Sequence, residues 1–131
     1  MTRTRGNKHH RNRQLEGPRI QGQPIRWADV PEWLTALFTN RMTMWQSGQF
    51  DSCPHNPTFR SNIPVRMVAW NPRLVTCPGC AHLGMLPASD PENFRCDACK
   101  RTDDELHMGE ITLDRVTIAY GVCSHCRAAM R

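Results

Sequence analysis

Three C-x-x-C pairs, one segment with a helical apolar stripe and two pairs of short β-branched runs predict a small α+β domain stabilised by zinc. The predicted parts are a disordered basic N-terminal arm, one amphipathic helix and two β-hairpin zinc-knuckle modules. The 131 residues, 39% of them apolar, allow one domain or two very small ones. No apolar run is long enough to span a bilayer, and no apolar segment follows the basic start as a secretory signal requires. A cytoplasmic protein with no membrane partner is therefore expected. In that setting cysteines serve as metal ligands or redox groups rather than as disulfides.

Residues 1–26 form the arm. Arg3, Arg5, Lys8, Arg11, Arg13, Arg19 and Arg26 stand against Glu16 alone, a net +6, whereas residues 27–131 carry ten basic and eleven acidic side chains, a net −1. With glycine or proline at 6, 17, 18, 22 and 24, and Leu15, Ile20 and Ile25 its only aliphatics, the arm has no structural period and reads as disordered. Arg3, Arg5, Lys8, Arg11, Arg13 and Arg19 are its candidate contacts to nucleic acid or another polyanion, since guanidinium groups fork onto phosphate and release counterions. The plainer alternative is a solvated tail. His9 and His10 add charge at lower pH.

Residues 27–48 predict the helix. Asp29 is placed as its cap, Pro31 in the first turn and Glu32 as the partner in a capping box. Val30, Trp33, Leu34, Leu37, Phe38 and Trp45 make the apolar stripe, with Thr35, Asn40 and Arg41 assigned to the opposite side. Gly48 ends the helix. The Trp33/Trp45 stripe either packs on the body or docks a partner protein.

Residues 49–131 form the body. Runs at 63–70 and 73–76 predict a hairpin turning at Asn71–Pro72. Runs at 109–113 and 116–122 predict a second, turning at Asp114–Arg115, and residues 87–93 make a loop between them. The spans 49–86 and 94–131 read as diverged repeats, each a ligand pair, a hairpin and a second ligand pair.

The ligand count fits two metal ions. Cys77/Cys80, Cys96/Cys99 and Cys123/Cys126 are the C-x-x-C pairs, and Cys53 with His55 supplies a fourth pair. Eight donors fill two tetrahedral shells, for which thiolate with one histidine favours zinc over an iron–sulfur cluster. His82, His107 and His125 are the alternative eighth donors. A tandem grouping places Cys53, His55, Cys77 and Cys80 on one ion and Cys96, Cys99, Cys123 and Cys126 on the other. A central ribbon of Cys77, Cys80, Cys96 and Cys99, or a cross-brace, are the competing arrangements.

CPGC, FRCDAC and GVCSHC resemble the knuckles of zinc-ribbon and treble-clef proteins, and the 53–126 stretch is similar to small Cys-rich zinc proteins of actinobacteria and their phages. That resemblance implies a structural metal and no particular activity. The Cys-x-His pair departs from the all-cysteine pattern.

Four protein ligands close each shell, leaving no open position for catalytic water. The chain has no H-x-E, H-E-x-x-H, P-loop, Rossmann or nucleophile-elbow motif. The acidic run at Asp103, Asp104 and Glu105 reads as a solvated loop. The expectation is a non-enzymatic two-zinc module without a small-molecule substrate. It binds nucleic acid through its arm, acts as an adaptor through the Trp33/Trp45 helix, or serves as a thiol redox or zinc sensor at the Cys53/His55 centre.

Overall fold

A computed structural model describes residues 17–130. Gln21 and Gly22 carry φ of 52° and 76°, the two successive left-handed residues that a type I′ hairpin requires. They join β1 (Arg19–Ile20) to β2 (Gln23–Pro24). β1 also pairs with a strand of the body, Arg19 opposite Thr112 and Ile20 opposite Ile111. The disorder expected up to Arg26 is therefore corrected for residues 17–26, where backbone pairing outweighs the polar composition. Arg26 forms an exposed ion pair with Asp29 at 2.9 Å. Arg3, Arg5, Lys8, Arg11 and Arg13 lie outside the described residues.

A 3-10 turn at Trp27–Asp29 precedes the main helix, α1 (Glu32–Gln46). Asp29 does not cap it: its carboxylate meets Arg26, and Pro31 occupies the N-cap without a side-chain cap bond. The reason is local. Val30 precedes a proline and is held extended at φ −74°, ψ 131°, so a helix cannot run back through it. The far end follows expectation, with Gly48 left-handed at φ 79° and its N–H bonded to the Trp45 carbonyl at 3.2 Å.

The buried face of α1 is Leu34, Phe38, Arg41 and Trp45, a spacing of one helical stripe. Arg41 is thus moved from the solvent side to the core. Its guanidinium donates to the Ala69 carbonyl at 2.8 Å and to Asn40 at 3.1 Å, while its Nε has no partner. Burial pushes its pKa below the ordinary value, opposed by the Asp97 carboxylate. Trp45 is 1% exposed. Its indole N–H donates to the Pro57 carbonyl at 2.8 Å, Phe59 meets its ring edge-on at 5.2 Å, and the Arg115 guanidinium lies over it at 5.2 Å. Trp33 packs edge-on to Tyr120 at 5.4 Å. Trp45 thus lies in the protein's own core, and Trp33 is partly buried against it.

Beyond β3 (Asp51–Ser52), the chain forms β4 (Val65–Val68), β5 (Asn71–Thr76), β6 (His107–Leu113) and β7 (Val116–Val122). The second hairpin turns at Asp114–Arg115 as expected, with Asp114 left-handed at φ 55°. The first turns two residues earlier than expected, at Ala69–Trp70. Asn71 and Pro72 instead lie within β5, where pairing with β4 shifts register; such an irregularity accommodates a residue lacking an N–H.

The hairpins are not separate modules. β4 pairs in parallel with β7, joining everything into one sheet of order β2-β1-β6-β7-β4-β5-β3 among the described residues. Val65, Met67, Ile111, Val116, Ile118, Tyr120 and Val122 alternate onto one face and form the core with α1. The opposite face is more polar, with Arg66 paired to Glu110 at 2.6 Å and Thr112 hydrogen-bonded to Thr117. Among the described residues no helix is long and apolar enough to cross a membrane.

Candidate metal centres

Topology places the two cysteine groups at opposite ends of the sheet. β3 and β5 run parallel and deliver Cys53 and Cys77 to one end. β7 runs antiparallel to β5 through β4 and delivers Cys123 to the other. The groups are Cys53, His55, Cys77 and Cys80, and Cys96, Cys99, Cys123 and Cys126, with all four donor atoms of each within 4.8 Å of one another. This is the tandem grouping; the ribbon and cross-braced alternatives do not occur. His82, His107 and His125 belong to neither group. None of the seven cysteines is in a disulfide.

Both centres use the same two devices. The first pair sits on a tight turn closed by a left-handed residue just after its second donor: Asn56 at φ 47° follows His55, and Lys100 at φ 66° follows Cys99. The Asn56 N–H bonds back to the Cys53 carbonyl and the Lys100 N–H to the Cys96 carbonyl. The second pair opens a helical turn. Cys77 precedes the 3-10 segment Pro78–Gly84 and Cys123 precedes α2 (Ser124–Ala129), with φ/ψ of −73°/163° and −70°/167°. Cys80 and Cys126 then fall in the first turn, facing the same point.

The spacings suit a tetrahedral ion. Sulfurs about 2.3 Å from one ion stand about 3.8 Å apart, and a sulfur and an imidazole nitrogen about 3.5 Å. Cys99 and Cys123 are 3.9 Å apart, and His55 Nδ1 is 3.4 Å from both Cys77 and Cys80.

Backbone amides prepare the innermost sulfur of each centre for negative charge. Cys53 Sγ accepts from the Cys77 N–H at 3.4 Å. Cys96 Sγ accepts from Cys123 at 3.3 Å and Cys99 at 3.5 Å. Burial alone would raise the Cys53 thiol, but the Cys77 N–H and the His55 groups outweigh it and lower it to about 6. Burial likewise opposes ionisation of Cys96, while the Cys99, Cys123 and Ala98 amides bring it to about 7. The outer donors move the other way. Cys80 is pushed up to about 11 by its contact with Cys77 and then by burial, and Cys126 is raised by burial and then by Cys123. Crowded sulfurs cannot all ionise against one another unless a cation joins them. Each group can hold one metal ion.

Asp97, between Cys96 and Cys99, was not among the candidate site residues singled out from the sequence, yet it ties the second centre together. Its backbone N–H donates to the Gly121 carbonyl at 2.8 Å, and its carboxylate accepts from the Gly121 N–H at 2.7 Å. This pair pins the Cys96–Cys99 turn to the end of β7 and hence to Cys123. Its signal was a carboxylate inside a C-x-x-C beside a β-strand end, visible only once the strand's position is known. Of the expected polyanion contacts, Arg19 lies in β1 with its guanidinium donating to the Gly22 carbonyl at 3.3 Å. The acidic run stays at the surface, where the Asp103 carboxylate accepts the Glu105 N–H.

Comparison of the chain with known protein families, curated proteins and solved structures finds no match.

Proposed function

We infer that the chain is a non-enzymatic module whose two structural zinc ions fix the ends of one sheet, and that its Arg-rich arm contacts nucleic acid. The observation that carries the zinc reading is the duplicated donor geometry: two groups of four, each with a left-handed turn, a helical first turn and an N–H···S bond at the same place. A turn, a hairpin and a helical turn sharing one ion is the treble-clef pattern, which supports reading residues 49–86 and 94–131 as diverged repeats. Four protein donors per ion favour a structural over a catalytic metal, because catalysis needs a free coordination position. Mixed Cys/His ligation favours zinc.

The nucleic-acid reading is supported by charge separation. The first 26 residues carry a net +6 and the remainder a net −1. Two zinc centres, one with three thiolates and one with four, bring the body to about −4. A polyanion is attracted to the arm and repelled by most of the body.

The test compares duplex DNA binding over a salt series by the wild-type chain and a full-length variant with Arg3, Arg5, Lys8, Arg11 and Arg13 all changed to Gln. Losing five phosphate contacts lowers the slope of log K against log salt by about 4.5. An unchanged slope and affinity in the variant refute the role of the arm.

A further inference from the structure

A cavity of about 480 Å³ opens beside β1, the start of β6 and α2. Its lining holds one guanidinium, Arg127, one imidazole, His107, and no carboxylate, in a body that is otherwise net acidic. A smaller cavity of about 400 Å³ near Trp33 also holds one guanidinium, Arg101, and one imidazole, His125, but three of its wall residues are Cys99, Cys123 and Cys126, whose thiolates offset that charge toward an anion.

Hydrogen-bond polarity on the rim of the larger cavity identifies its preference. Arg127 lies 3.1 Å from His107 Nδ1, and His107 Nε2 lies 2.9 Å from Ser124 Oγ. A guanidinium only donates, so Nδ1 accepts and Nε2 carries the proton and donates to Ser124. The imidazole therefore takes no proton from the serine, which excludes a nucleophile–base pair here. The relay leaves the remaining Arg127 N–H groups free to donate into the cavity. Those are ligands for an oxyanion.

The rest of the cavity is apolar and suits a flat ring. Gly109 lies where a Cβ would come within 2.6 Å of the Tyr120 ring, so the nearly buried Tyr120 closes the floor of the cavity beside it. Met108, which is 57% exposed, and Met130 border the opening; thioethers pack well on π-systems. Gln21 commits its carboxamide oxygen to the Glu110 N–H at 2.9 Å, leaving its NH₂ as a donor for a base edge. The volume falls within the range of roughly 300–1,000 Å³ typical of small-molecule sites.

We propose that this cavity takes one nucleotide of a single-stranded nucleic acid, its phosphate on Arg127 and its base between Met108 and Met130. The inference rests on the nucleic-acid reading above and locates a contact on the folded body. A paired base within a duplex cannot enter, so the site selects unpaired strands. β1 and its turn form one wall, through Ile20 and Gln21.

Adenosine monophosphate and inorganic phosphate are titrated separately into the zinc-loaded full-length protein carrying 13C-methyl methionine. Adenosine monophosphate shifts Met108 and Met130, and Arg127→Gln abolishes those shifts. In parallel, Arg127→Gln weakens binding of a mixed-sequence single strand by about 3–10-fold and reduces its salt slope by about one, with duplex affinity unchanged. Met108→Glu, at an exposed position that does not threaten the fold, weakens the single strand in the same way. The proposal is overturned if adenosine monophosphate leaves both methyls unmoved. It is equally overturned if inorganic phosphate shifts them with the same affinity, which would mean an adventitious ion only. The five-fold arm variant separates the two readings. Its duplex binding reports on the arm, whereas its response to adenosine monophosphate reports on the cavity.

Discussion

Gly109→Ala tests how tightly the sheet is fitted around its one tyrosine. A Cβ on Gly109 lies 2.6 Å from Tyr120 Cε1 and Cζ and 2.7 Å from its hydroxyl oxygen. Carbon atoms prefer about 3.5–4.0 Å, so ring and strand must part by about 1 Å. Tyr120 is only 2% exposed and Trp33 meets its ring edge-on, so the ring has nowhere to retreat. Overpacking of this kind costs about 3 kcal/mol, at the upper end of its usual range. Alanine regains about 0.5–1 kcal/mol of the backbone entropy that glycine loses in a strand. The net loss is about 2 kcal/mol. With an unfolding entropy near 2.1 cal/mol/K per residue, the 131-residue chain loses about 7 °C in Tm. The assay is a thermal melt of the metal-loaded protein followed by near-ultraviolet circular dichroism, which reports on Trp33 and Tyr120. The double variant Gly109→Ala/Tyr120→Val must be more stable than the two single losses added together, since removing the ring removes the clash. A Gly109→Ala protein melting within about 2 °C of wild type would refute the close packing.

Other residues give independent checks. Arg41→Ala strips the Ala69 carbonyl of its donor and opens space under α1; it costs about 2–4 kcal/mol by urea denaturation, and Arg41→Met costs less because it fills the space without a buried charge. Asp97→Ala unpairs the Gly121 N–H and speeds metal loss from the Cys96 centre to a chromogenic chelator, while Asp97→Asn keeps an acceptor and stays near wild type. Burial raises the Tyr120 phenol above its ordinary value. Its contribution to stability is present below about pH 10, the ordinary tyrosine value, and is lost as pH rises through the folded value. Absorbance at alkaline pH must show this single tyrosine ionising later than in the unfolded chain.

What could be read in the sequence was local. A C-x-x-C turn, the Asp114–Arg115 hairpin and the Gly48 stop depend on a few adjacent residues, and each appears where expected. The Cys53/His55 pair follows from counting donors, whereas the order of the ligand pairs allows three groupings, of which the tandem one is formed. What could not be read was either non-local or contrary to polarity. Nothing in Val65–Val68 announces a parallel partner at Val116–Val122, because both strands simply alternate. Arg41 was assigned outward for its charge, although it stands seven residues after Leu34 on the same stripe. Pro72 suggested a turn, but the register shift in β5 accommodates it within a strand. The β1–β2 hairpin hid in a polar arm because Gln21–Gly22 is a weaker turn signal than Asn-Gly.

The central claim is that two ions hold this fold at its two ends. Native mass spectrometry of the full chain, expressed without added metal, tests it most directly. The account predicts a mass corresponding to two zinc ions per chain, about one after His55→Ala or Cys96→Ser, and loss of the folded charge-state envelope after chelation. A compact, folded chain carrying no metal would contradict it.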